Sequence, residues 1–583
     1  MYEQTLEIQC ADEAAARACT VRPRELPAGK TLAFATRWDD RGPSNFKMAE
    51  TLAGEGIKAT FYLNGFDAPA AADYAARAGR EMLPRGHSIG NHTLSHRMLG
   101  PLLPAERFRD ILEQRARSEC AAGAPVTAFV LPYCTSASAA DADAERCTAE
   151  CLVRAGMLGG AESGAEFGLE PCDWVGTHLF AIDDSNPKEK LFTDAFAKGK
   201  EIALAGKLRD GPYLTLGVHA WQKDPEGFAE LARIVRAQAR KPEIWYCNAN
   251  EYSAYRLQYL RAKVEKTGVS GTKAVFRVTR PDPAALGANV PLAFDVSDGR
   301  TAESPNDSAL GLPRAYALLE NALTLDRAAN RVTAIVSNAT AEALSDGVLT
   351  LRLPPLWKTG VLTERVPALA PGATTVLSFE LGEKETGGPR AAQADQFLAA
   401  QVDARGAAGG RVRLWLTGFD RINPRPTACP RDAARIAGPL PGFADGTNST
   451  PAALSRPGAP LGDIGADPEG HWRGPGPLRG AAEGTVYLAT DAFDVRAAQA
   501  RHRGASWTDF LVAWDFEAAA GTYRLPAGMV CDYGVRTYLD GAPLRGAEKG
   551  FALAAGRHRL VFVVRFTNKY ALTREIALIP ASR

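Results

Sequence analysis

The chain has no run of about 18 uninterrupted apolar residues, so it offers no helix that could span a membrane. Nor does either charge prevail: 68 basic side chains stand against 67 acidic ones, for a net charge of +1. That balance leaves no electrostatic footprint for a nucleic acid partner. No C-x2-C pair occurs, which removes a zinc ribbon. The first thirty residues hold no basic stretch leading into an apolar one, the pattern of a secretory leader. Histidine is scarce, eight in all, so any close pair is informative.

What is present is ordinary globular material. Apolar residues make up 46% and charged residues 23%, and 583 residues suffice for roughly three or four domains. Eight of the ten cysteines (Cys10, Cys19, Cys120, Cys134, Cys147, Cys151, Cys172, Cys247) precede residue 262, and only Cys429 and Cys531 follow it. Such a set permits disulfides in an oxidising compartment but does not fix their pairing, and buried free thiols account for it equally well.

From Thr31 to about Lys263, strand-like runs alternate with amphipathic helical ones. The strands are read at TLAFATRW, KATFYLN, HSIGN, TAFVLPY, MLGGAE, WVGTHLF, PYLTLGVHA and EIWYCNA. Helices are read over 105–123, 141–156 and 225–241. Eight strands alternating with helices predict βαβ units and a parallel sheet, closed or nearly closed into a barrel. After Val264 the pattern turns to alternating strands with turn signals every 8–12 residues, which predicts an antiparallel β-sandwich over 264–384. Residues 385–410, rich in Gly, Ala and charge, read as a linker or exposed helical connector, and 411–583 as a second β domain. Residues 1–30 read as an N-terminal extension.

In α/β barrels, functional groups gather at the C-terminal ends of strands. That rule selects Asp39 and Asp40 after the first strand, His92 and His96 in GNHTLSH, Tyr133 in FVLPY and His219 in LGVH. Two imidazoles four residues apart, with a carboxylate from another strand end, suit Zn²⁺ or a similar divalent ion. A second carboxylate then remains as general base, and a separate imidazole as general acid. His87 and His178 fall outside this pattern and read as structural. Trp221 follows His219 closely and suits sugar stacking or core packing alike.

Taken together, TRWDDRGP, GIKATFYLNG, RGHSIGNHTLSH, FVLPYC, CDW, LGVH and IWYCNANEYSAY resemble the successive motifs of polysaccharide deacetylases, also called NodB-homology or carbohydrate esterase family 4 domains. The resemblance covers about residues 31–260. It implies a multidomain chain led by an α/β distorted (β/α) barrel of the NodB type, followed by two β-sandwich-like domains. It also implies metal-dependent hydrolysis of an N- or O-acetyl group on a sugar, with Zn²⁺, Co²⁺ or Ni²⁺ as cofactor and an acetylated glycan as partner. Carried over, Asp39 is the general base, and Asp40, His92 and His96 are the metal ligands. Tyr133 gives its backbone N–H to the oxyanion and His219 protonates the leaving group. Trp174 and Leu216 wall the acetyl pocket.

One departure bears on the chemistry. Where the family has Arg-Pro-Pro-Tyr, this chain has Val130, Leu131, Pro132 and Tyr133, so the arginine that helps hold the base is missing. Asp173, the usual neighbour of that arginine, loses its partner. Arg37 or Arg41, flanking the carboxylate pair, would supply the charge. The alternatives are an inactive carbohydrate-binding or matrix protein, and an amidohydrolase acting on a non-sugar amide. Near the C-terminus, AGTYRLPAGMVCDYGVRTYLDGAPL and ALAAGRHRLVFVVRF are similar to PA14-type β-sandwiches. That likeness implies carbohydrate binding at Asp532 and Asp540, although a hairpin turn at Asp540–Gly541 explains the same residues. A glycan substrate and the clustered cysteines favour an extracellular, periplasmic or cell-surface location, with the cytoplasm still open.

Overall fold

The computed structural model describes residues 2–66, 69–96, 99–100, 102, 104–132, 136, 143–160, 167–180, 189–220, 225–304, 311–382, 396–420, 427–428, 434–440, 450–461, 486–488, 508–525, 535–545, 547, 550–566, 571–573 and 577–580. Two strands, β1 (Tyr2–Gln9) and β2 (Val21–Pro23), precede the α/β region. The eight expected barrel strands follow in order: β3 (Leu32–Asp39), β4 (Ala59–Leu63), β5 (Ser88–Asn91), β6 (Ala128–Phe129), β7 (Gly159–Gly160), β8 (His178–Phe180), β9 (Tyr213–Leu216) and β10 (Ile244–Tyr246).

All eight pair in parallel, in the path β7-β6-β5-β4-β3-β9-β8. β10 lies against the first half of β3, ahead of β4 on the same edge. One isolated parallel bridge, Gly159 to Val175, ties the two ends of the path together. A ring joined by a single bridge is a distorted barrel. Every residue of β3 and β4 is buried, as strands covered on both faces must be.

The segment expected as an N-terminal extension is instead part of the packed structure. β1 pairs antiparallel along its whole length with β12 (Lys273–Arg280), which also pairs with β11 (Lys263–Ser270). β2 pairs with β13 (Ala293–Val296), which pairs with β14 (Thr301–Glu303). Apolar side chains of these strands share one core with Tyr213, Tyr252 and Tyr255 of the barrel region. Strand periodicity marks a strand but not its partner, so a pairing across some 270 residues of chain left no local trace.

The remaining middle strands are β15 (Ala315–Leu319), β16 (Leu323–Asp326), β17 (Arg331–Ser337), β18 (Leu344–Arg352), β19 (Val361–Val366), β20 (Thr374–Glu380), β21 (Gln396–Gly406) and β22 (Arg411–Asp420). They form a five-stranded sheet, β15-β22-β21-β18-β19, and a three-stranded one, β16-β17-β20, around a common apolar core. The expected connector over 385–410 is corrected here: its second half is β21, an interior strand of the larger sheet. Leu398, Ala400, Val402 and Ala404 face the middle core, whereas Phe397 and Ala399 face a barrel helix, Pro104–Ala122. A strand buried on both faces loses the polar alternation by which strands are recognised.

That helix also joins barrel and sheet electrostatically. Glu119, fully buried, accepts from Arg413 Nη1 at 3.0 Å, Trp415 Nε1 at 2.9 Å, Arg115 Nε at 3.0 Å and the Val126 amide at 3.0 Å. Burial opposes its ionisation, but these partners hold the carboxyl below its usual range.

Further on, strands at 434–440, 508–518, 556–566, 535–539 and 542–544 form a second five-stranded sheet. Its hairpin turns at Asp540 and Gly541, both at positive φ. The Asp540 carboxylate is occupied within the fold, by His558 Nδ1 at 2.6 Å and the Arg559 amide at 3.0 Å. Asp532 lies outside the described residues. Trp357 is buried in the middle core. Among the described residues seven cysteines have free thiols, Cys172 exposed among them.

Candidate active site

The C-terminal ends of β3, β5 and β9 converge. Asp39 closes β3, and its backbone N–H donates to the Val218 carbonyl at 2.6 Å, which draws the loop after β9 against β3. Gly217, at φ 110, permits that approach, because a Cβ there would stand 2.6 Å from the Arg37 carbonyl oxygen. His219 follows two residues later.

Asp40 turns into the left-handed region, φ 67. Asn45 Nδ2 donates to its carbonyl at 3.0 Å, and Asn64 Nδ2 donates to its Oδ1. The Asp40 carboxylate looks out at three imidazoles. His96 Nε2 stands 3.2 Å and His92 Nε2 3.7 Å from Oδ1, and His219 Nε2 stands 3.4 Å from Oδ2. Donor atoms of Asp40, His92 and His96 all lie within 4.8 Å of one another.

The protonation pattern suits a cation. His92 Nδ1 is 3.0 Å from the Val130 carbonyl, which only accepts, so neutral His92 carries its proton there and aims the Nε2 lone pair into the cluster. His92 and His96 Nε2 atoms face each other at 3.2 Å. Burial, above all, pushes His96 down to about 4, so its ring is neutral at neutral pH. Burial works against ionisation of Asp40, yet the His219 hydrogen bond and the charges of His96, His92 and His219 hold its carboxyl well below the usual range. A carboxylate and two imidazole nitrogens converging within 4.8 Å make a fitting cradle for a divalent ion.

Arg37 grips the other carboxylate. Its Nε lies 2.8 Å from Asp39 Oδ1 and 3.0 Å from Oδ2, and its Nη2 lies 2.5 Å from Oδ2. Two residues apart on one strand, the side chains share a face, and both are almost wholly buried, at 2% and 3% exposure. Arg41 is only part-buried, its guanidinium against Gly65. Val130, where the family arginine would stand, is buried among Tyr62, Ala128 and Ala249.

Asp173 is half-exposed and pairs with Arg261 at 3.6 Å. Trp174 is fully buried and packs edge-on against Phe167, and Leu216 is buried in a different apolar cluster. Tyr133 and Trp221 lie outside the described residues. His87 is structural, accepting from the Ala59 amide and bonded to the Ala49 carbonyl. Sequence reasoning missed Asn64, although it ends a strand and the same strand-end rule selects it. It also missed Asn45, Ser95 and Asp110, which carry no comparable signal.

With the site assembled, comparison with known proteins finds a likeness for the segment that holds most of its residues. Residues 33–152 match the polysaccharide deacetylase family model. The matched segment carries Asp39, Asp40, His92 and His96. A chitin deacetylase from Pestalotiopsis sp is 41% identical over 71 residues, which cover 12% of this chain and 23% of that protein. The chain therefore spans less than a quarter of that relative's length. Among solved structures, an acetyl xylan esterase of family 4 from Clostridium thermocellum is 20% identical, with 38% of this chain and 89% of that one covered, at a TM-score of 0.26. A peptidoglycan deacetylase from Bacillus subtilis is 17% identical, covering 38% and 91%, at a TM-score of 0.25.

Proposed function

We propose that the barrel is a divalent-metal-dependent hydrolase that removes an acetyl group, in N-acetyl form, from a sugar in an oligo- or polysaccharide. One observation carries the reading: a carboxylate and two imidazoles from two strand ends converge, with the His92 lone pair fixed toward Asp40. The match of residues 33–152 to polysaccharide deacetylases and the chitin deacetylase relative support a sugar acetyl group as the target.

Asp40, His92 and His96 would hold the ion, and one carboxylate with two imidazoles suits Zn²⁺, with Co²⁺ or Ni²⁺ as substitutes. When bound, the ion supplies Lewis acidity toward the acetyl carbonyl and acidifies water. Asp39 takes the proton of the attacking water. A carboxylate has about four acceptor positions, so the three contacts from Arg37 leave one for that proton. Arg37 fixes the plane of the Asp39 carboxylate, as a guanidinium fork does. His219 gives a proton to the departing nitrogen or oxygen, which would otherwise be a poor leaving group. The Tyr133 amide is proposed as oxyanion donor, and Trp174, Leu216 and Trp221 as the surroundings of acetyl group and sugar.

The β regions are proposed as β-sandwich-like scaffolds that present the glycan, and the site of action as extracellular, periplasmic or cell-surface. The test is acetate release from a panel of acetylated glycans, with and without chelator and added Zn²⁺, for wild type and Asp39→Asn. Metal-restored acetate release that Asp39→Asn abolishes supports the proposal. Stoichiometric metal binding with no acetate from any glycan would sink it in favour of a glycan-binding protein.

A further inference from the structure

The loop bearing both imidazoles leaves β5 at Asn91 and is strained. Thr93 (φ 68) and His96 (φ 52) both occupy the left-handed region, which is especially unfavourable for a β-branched residue. Such strain persists only where the surroundings over-determine it. Four hydrogen bonds do so here. The Thr93 amide donates to Asn91 Oδ1 at 2.9 Å, and Asn91 Nδ2 donates to the Ile111 carbonyl at 2.7 Å. The Leu94 amide donates to the Asp110 carbonyl at 2.8 Å. Ser95 Oγ lies 2.8 and 2.9 Å from the two carboxylate oxygens of Asp110.

Asp110 and Ile111 sit on a single turn of the helix Pro104–Ala122, so the loop is bolted to one rigid element. Ser95 adjoins His96 directly, and Asp110 is buried and is not one of the three cluster residues. We propose that Asp110, acting through Ser95, is a positioning residue for the metal loop: it fixes the backbone from which His96 reaches Asp40. The inference rests on the metal-site reading above. Buried carboxylates are costly unless used, and this one is spent on the residue before a ligand. Partners behind metal ligands typically govern affinity 10–100-fold, about the effect expected here.

The experiment is calorimetric titration of the purified full chain with Zn²⁺, comparing wild type, Ser95→Ala, Ser95→Thr and Asp110→Asn. Co²⁺ visible absorption reports ligand geometry, and circular dichroism reports the fold. Ser95→Ala should bind Zn²⁺ roughly 10–100-fold more weakly and change the Co²⁺ bands while keeping wild-type circular dichroism. Ser95→Thr, which retains the hydroxyl, should restore affinity to within about threefold of wild type. Should Asp110→Asn fail to fold, the two Ser95 variants decide the matter. Wild-type affinity and Co²⁺ bands in Ser95→Ala would overturn the clamp alone. A wild type that binds no Zn²⁺ would overturn the metal-site reading, and the clamp with it.

Discussion

Replacing Arg37 by methionine isolates the least ordinary feature of the site. The substitution keeps most of the aliphatic stem and removes the three contacts to Asp39, at 2.5 to 3.0 Å. Both partners are shielded from solvent, at 2% and 3% side-chain exposure, so water cannot replace the lost donors. Breaking a buried ion pair by removing one member costs about 3–5 kcal/mol, since the other charge is left uncompensated. A domain of roughly this size loses about 2–4 °C in melting temperature per kcal/mol, so the barrel should melt roughly 6–20 °C lower. Trp38, fully buried beside the pair, offers a fluorescence signal for that transition. Arg37→Lys should recover only part of the loss, because an ammonium cannot span both oxygens. The double variant Arg37→Met with Asp39→Leu should regain stability while releasing no acetate, which separates folding from chemistry. A melting temperature for Arg37→Met within about 2 °C of wild type, with undiminished acetate release, would refute the reasoning.

Two further outcomes follow from buried groups elsewhere. His87 is pushed down to about 4 by burial, with its Nδ1 accepting from Ala59 and its Nε2 donating to Ala49. Its folded value lies below its ordinary 6.5, so folding favours the neutral ring. Stability is therefore full above about pH 6.5 and falls as pH drops toward 4, by roughly 3 kcal/mol in all. Denaturation from pH 7 to 4 should show this slope in wild type, and His87→Gln should lack that share of it. At the helix–sheet junction, Arg413→Met should destabilise the chain by about 3–5 kcal/mol in urea, through the stranded charge of Glu119. Adding Glu119→Gln should recover much of that loss, and equal stability of single and double variants would disprove the coupling.

The barrel was legible because its signals are local. Each βα unit writes an apolar run and an amphipathic helix into consecutive residues, and all eight strands appear where the chain predicts them. Asp39, Asp40, His92, His96 and His219 follow from one topological rule, that parallel strands deliver their C-terminal ends to a common rim. β21 was misread because, with barrel on one face and middle core on the other, it has no solvent side to alternate with.

The sequence by itself determined the element order, the pair of carboxylates and the two imidazoles four residues apart. Those are matters of residue type and near spacing, which local physics reads directly. Only the tertiary structure decided between Arg37 and Arg41, burying the Arg37 guanidinium against Asp39. It alone brought Asp110 under Ser95 and wove the first thirty residues into the sheets after the barrel. Each of these depends on which distant surfaces are buried together, and burial is a property of the folded whole.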